Sequence, residues 1–191
     1  KEKLPEVLKK YNITKPFLLA INRLERKKNT KRIVEAYDLL KKDFDVQLIL
    51  VGQPGVGYDE IKSTIEQSVH KTDILELGWV EQADLPYLLS SAQLFLIPSL
   101  YEGFGIPLLQ AMACGCPVVA SNVTSLPEVG GEAVVYVNPE NSEDIARGGR
   151  EILSNEHRQV ELIEKGLKLA QKFSWNKFAQ AFWQEAQKLP E

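Results

Sequence analysis

Six short apolar runs, each followed by a polar stretch with helical spacing, constrain this chain more than any other feature. Residues 17–22 (FLLAIN), 46–51 (VQLILV), 74–77 (ILEL, closed by Gly78), 94–97 (LFLI), 118–120 (VVA) and 133–137 (AVVYV) have the length of strands buried on both faces. Between them, Ile33, Val34, Tyr37 and Leu40 recur at helical spacing within 30–42, and Ile61, Ile65 and Val69 within 58–70. Asp84 reads as the N-cap of a helix over 85–91, with Pro86 in the first turn, where its missing N–H costs nothing. Pro107 fits the first turn of a helix running to Cys114, with Gly115 just past its end. Further helical patterns fill 142–153, 156–173 and 175–189. Such strands, separated by amphipathic helices, predict an α/β fold with a parallel six-stranded sheet and helices on both faces. Right-handed crossovers make it doubly wound and Rossmann-like, with a helical tail after residue 155.

The 191 residues, 44% hydrophobic and 26% charged, suit one globular domain over 1–191, with no internal repeat, low-complexity linker or second core. A net charge of −3 offers no positive field for nucleic acid. The two cysteines, Cys114 and Cys116, cannot staple a scaffold, so a reducing compartment, the cytoplasm, is expected. No apolar run approaches 18 residues, and no signal peptide opens the chain. It begins at Lys1 and contains only Met112, which reads as a piece of something longer.

In a doubly wound sheet the ligand sits beyond the carboxyl ends of the strands. The segments following strands one to four are therefore the candidates: 22–29 (NRLERKKN), 52–57 (GQPGVG), 78–80 (GWV) and 98–105 (PSLYEGFG). The last is the most informative. Gly103 and Gly105 let the backbone approach a ligand, and the amides of Phe104, Gly105 and Ile106 precede a helix as an anion site. On that helix Leu108, Leu109, Met112 and Ala113 form the expected buried stripe, and Gln110 lies on its flank. Glu102 and Gln110 would bracket one ligand.

The segment 102–120, EGFGIPLLQAMACGCPVVA, resembles the signature of retaining GT-B glycosyltransferases of family 4. The resemblance extends to Asn22-Arg23-Leu24 with Lys28-Asn29, to Leu50-Val51-Gly52, and to Leu77-Gly78-Trp79-Val80. It continues in 125–129 (SLPEV) and 173–175 (FSW). It covers nearly the whole chain in order and spacing, and corresponds to the C-terminal, donor-binding half of such enzymes. The resemblance implies hexose transfer from a nucleoside-diphosphate sugar, with retention of configuration and without a metal or other cofactor. It also implies an N-terminal acceptor-binding domain as partner, through which alone any peripheral membrane contact is expected. Glu102 falls by the donor sugar, and Arg23 and Lys28 fall on the diphosphate. Gly78, Trp79 and Val80 fall at the base, mainly through backbone contacts, with Gly52 a neighbour of the ligand. Gln110 falls on the ribose, where the family usually carries a second glutamate; an amide can serve both hydroxyls but loses the charge-assisted bond. Independently of the resemblance, fixed positive charge stabilises a departing diphosphate. A non-catalytic nucleotide-sugar module, or a different doubly wound ligand-binding domain, fits the same residues.

Other features read more plainly. Arg26, Lys27, Lys31 and Arg32 are the solvated side of a helix. His70 and His157 are surface residues, and the cysteines pack rather than bind metal. Asp43-Phe44-Asp45 has an acid-x-acid pattern, but precedes its strand and lies at the wrong end of the sheet. Turn chemistry explains 52–57, Glu128 starts a helix near the cleft, and Trp175, Phe178, Phe182 and Trp183 are core or interdomain packing.

Overall fold

A computed structural model describes residues 3–188. Six parallel strands form one sheet: β1 (Phe17–Ile21), β2 (Gln47–Val51), β3 (Ile74–Gly78), β4 (Leu94–Ile97), β5 (Val118–Ser121) and β6 (Val135–Val137). Their order is β3-β2-β1-β4-β5-β6, the doubly wound arrangement expected from the sequence. The helices are α1 (Leu4–Lys10), α2 (Thr30–Leu40), α3 (Tyr58–Gln67), α4 (Leu85–Ser91), α5 (Ile106–Ala113), α6 (Leu126–Gly130), α7 (Ser142–Leu153), α8 (Glu156–Ala170) and α9 (Trp175–Ala186).

The alternation of side chains along each strand divides the core in two. Leu18, Ala20, Leu48, Leu50, Leu94 and Leu96 face α2, α3 and α7. Phe17, Leu19, Ile49, Val51, Phe95 and Ile97 face α1, α4, α5 and α6. Both faces are apolar because both are covered. α8 spans the two layers: Leu162 joins the first core, while Leu169 packs on the second.

Several expectations need correcting. α1 is an additional helix and carries only Val7 as a buried residue, while the helix expected at Glu128 is α6, a single turn of five residues between Ser125 and Gly131. α3 stops at Gln67, because Ser68 turns to an extended ψ of 133° and its hydroxyl donates to Asp38. On α5 the buried residues are Leu108, Ala111 and Met112, so Ala111 replaces Ala113 on the inner face. Asp84 precedes α4 without capping it; its carboxylate accepts from Lys10 at 2.7 Å and Tyr11 at 2.8 Å instead. Those partners, Lys10 first, hold its carboxyl below the usual range. α9 buries none of its residues, and its four large aromatics are exposed, so they are not core of this domain. The helical pattern drawn to Leu189 passes beyond Lys188, outside the described residues.

Candidate active site

The strand order reverses between β1 and β4, and a crevice opens beyond their carboxyl ends. The segment after β1 tightens into a 3-10 turn at Arg26–Lys28 and ends on Asn29, in the left-handed region with φ 62°. Asn29 is 3% exposed, and its side-chain amide donates to the carbonyls of Pro98 at 2.8 Å and Pro139 at 2.6 Å. The Leu100 amide donates to the Lys27 carbonyl at 2.9 Å. These bonds lash the loops after β1, β4 and β6 into one platform. Nothing in the sequence indicates that Asn29 ties three loops.

The platform brings Lys28 to Glu102. Lys28 Nζ donates to Glu102 Oε2 at 2.7 Å, with the two side chains 18% and 8% exposed. Ser99 Oγ donates to the other carboxylate oxygen at 2.8 Å. The Glu102 amide donates to Thr124 Oγ1 at 3.1 Å, and Ser125 Oγ donates to the Glu102 carbonyl at 3.0 Å. Every polar group of Glu102 is thus held by a named partner. Ser99 and Thr124 carry no sequence signal for this; Ser125 belongs to a recognised motif without a role.

The remaining candidates lie on the loops that follow β1 to β4 and on α5. Arg23 is exposed, and its Nε donates only to the Pro54 carbonyl, at 3.3 Å. Gly103 faces open space, since an added Cβ meets nothing within 4 Å, so the protein itself does not require a glycine there. Gly105 does need to be glycine, with φ 94° and an added Cβ 2.6 Å from Leu126 Cδ2. Leu108 and Leu109 donate their amides to the Gly105 carbonyl, while those of Phe104, Gly105 and Ile106 have no acceptor among the described residues. Phe104 and Ile106 are exposed, and the Phe104 ring packs edge-on against Phe173 with centroids 5.8 Å apart. Gln110 is exposed on α5. Trp79 is exposed beyond Gly78, whereas Val80 is buried. At Gly52 a Cβ would lie 1.8 Å from the Asn22 carbonyl oxygen, so close passage of the protein's own chain accounts for that glycine. A concavity of about 380 Å³, lined in part by Arg26, Asn29, Arg32 and Glu140, opens beside the platform.

The features set aside stay apart from the crevice. Asp43 pairs with Arg150 at 2.7 Å, and Asp45 with Lys41 at 2.6 Å, both ahead of β2 at the opposite end of the sheet. Cys116 is buried and Cys114 partly so. Among the described residues no group of three or more His, Cys, Asp or Glu is placed to hold a metal, and no helix is long and apolar enough to cross a membrane.

Comparison with known proteins agrees with the fold. O-antigen chain mannosyltransferase B of Escherichia coli is 40% identical over 172 residues, which are 88% of this chain and 45% of that protein. Sucrose-phosphate synthase from Thermosynechococcus elongatus superposes with a TM-score of 0.83 at 25% identity, over 96% of this chain and 48% of its own. Anabaena HepE, solved in complex with UDP and glucose, gives a TM-score of 0.86 at 22% identity, over 98% and 52% respectively. The chain spans about half the length of these relatives. The model of the family "Glycosyl transferases group 1" matches residues 3–169, and the chain belongs to that family.

Proposed function

We propose that residues 1–191 form the single donor-binding domain of a retaining two-domain glycosyltransferase. The whole enzyme transfers a hexose from a nucleoside-diphosphate sugar to an acceptor held by an N-terminal half. The observation that carries this reading is the meeting of Lys28 and Glu102 at the switch point, on loops that also carry Arg23 and the free amides ahead of α5. The leaving diphosphate gains negative charge as the glycosidic bond breaks. Arg23, Lys28 and those amides are fixed positive charge and dipoles where that charge develops, so they stabilise the transition state more than the ground state. Glu102 orients the sugar, Gln110 meets the ribose, and Gly78, Trp79 and Val80 receive the base beside Gly52. With two side-chain cations on the diphosphate, the donor is bound without a metal. A mannosyl donor is the first choice, given the mannosyltransferase relative. The free thiols at Cys114 and Cys116 support a cytoplasmic setting.

Calorimetry with UDP-, GDP- and ADP-sugars, their diphosphates and their nucleosides tests the reading. One diphosphate is expected to bind at least tenfold more tightly than its nucleoside. Equal affinity for nucleoside and diphosphate throughout the panel would overturn the assignment.

A further inference from the structure

The loop between β5 and α6 contains Thr124 at φ 56°. The other non-glycine residues with positive φ among the described residues are Asn12 and Asn29, a type that tolerates this region. For a β-branched residue it is a genuine outlier. Strain of this kind persists where the surroundings over-determine it, often beside a functional site. Core packing does not account for it, because Thr124 is exposed.

What Thr124 does supply is an acceptor. Its Oγ1 takes the Glu102 amide at 3.1 Å, while Ser125 Oγ donates to the Glu102 carbonyl at 3.0 Å. At the end of β5, Ser121 Oγ donates to the Ser99 carbonyl at 2.6 Å, and Ser99 in turn holds the Glu102 carboxylate. A glycine at position 124 would adopt this φ freely but would leave the Glu102 amide without its partner. The left-handed conformation is therefore kept together with the hydroxyl.

We propose that Thr124 is a positioning residue: its hydroxyl, carried on a left-handed backbone, fixes the Glu102 main chain so that the carboxylate meets the donor sugar. This rests on the reading of Glu102 as the sugar-facing carboxylate. Ser125 completes the clamp on the same residue, at its carbonyl.

Thr124→Gly, Thr124→Val and Thr124→Ser separate this role from a merely structural one. Hydrogen exchange at the Glu102 amide reads the clamp directly. Glycine and valine are expected to accelerate it roughly threefold to tenfold, the effect of one ordinary hydrogen bond. The second readout is the ratio of affinities for a sugar nucleotide and its bare diphosphate. That ratio should fall by a comparable factor in both variants, while diphosphate binding stays within about twofold. Serine should restore both readouts. The Tm of Thr124→Gly should not fall, because glycine relieves the strained φ.

Wild-type exchange at Glu102 in Thr124→Gly would overturn the clamp. An unchanged affinity ratio in Thr124→Gly and Thr124→Val would overturn the link to the sugar, as would diphosphate binding that falls in step with Tm. Should the wild-type chain bind no diphosphate, the donor reading itself fails, and the exchange measurement still decides whether Thr124 holds Glu102.

Discussion

Lys28 and Arg23 stand on the same loop and are proposed to face the same diphosphate, yet the structure gives them different surroundings. Lys28 is 18% exposed and bonded to a nearly buried carboxylate, so its charge is half-committed before any ligand arrives. Arg23 reaches only the Pro54 carbonyl and lies in solvent. Replacing either with alanine should weaken diphosphate binding by about 1–3 kcal/mol, the loss of a charged hydrogen bond. Their stabilities should diverge. Arg23→Ala leaves no buried group unpaired and should unfold at the wild-type temperature. Lys28→Ala strands Glu102 without its counter-charge and should lower stability by roughly 1–3 kcal/mol. Calorimetry and thermal unfolding on the same preparations check both halves. An Arg23→Ala variant that binds normally would remove that residue from the site.

Among the elements, α7 shows most plainly why packing overrides propensity. Helix propensity alone says that Gly148→Ala stabilises by about 1 kcal/mol. The structure places an added Cβ 2.7 Å from Val137 Cγ1 and 3.3 Å from those of Val119 and Val135. Overpacking of this kind costs about 1–3 kcal/mol, so the net effect should be a Tm lowered by a few degrees. A raised Tm would show that β5 and β6 yield to the methyl. At the amino ends of the strands, Asp73 accepts from Lys41 at 2.8 Å and Lys15 at 3.2 Å, and these partners, Lys41 first, lower its pKa. Its folded value lies below the unfolded value of about 3.9, so the pairing stabilises the fold above that pH and is lost as pH falls through the folded value. Asp73→Asn should therefore be less stable than wild type at pH 7, by roughly 1 kcal/mol, and the two should converge as pH falls through the folded value. Melting curves from pH 2 to 7 that stay parallel would contradict this. The strands were legible because burial on both faces makes them continuous apolar runs. α1 was not, since its only buried residue is Val7, and of α6 only the start near Glu128 was, because its five residues include Pro127 and Gly130. Glu102, Lys28 and Arg23 could be singled out from loop position and motif. Asn29 and Thr124 could not, because their roles depend on bonds to residues 69 and 22 positions away along the chain.

For the whole molecule the question is what the proposed donor half of a two-domain enzyme can do by itself. The chain spans 45% of the length of O-antigen chain mannosyltransferase B, and the proposed donor site is built from loops at the carboxyl ends of the strands. Donor binding needs only those loops. Transfer needs more, because an acceptor hydroxyl must be held against the anomeric carbon, and such positioning supplies about 7–11 kcal/mol at best. In the proposed donor site the ligand meets water on one side, and charge contacts with Arg23 and Lys28 are there weakened by screening. Closure by a second domain would expel that water and strengthen the same contacts. The chain alone should therefore bind donor weakly and show no measurable transfer, while a longer protein that includes the acceptor half binds the same donor more tightly and turns it over. Product formation from one donor and one acceptor, measured side by side for the two proteins, decides this. Turnover by the chain alone at the rate of the longer protein would mean that these 191 residues contain the whole active site.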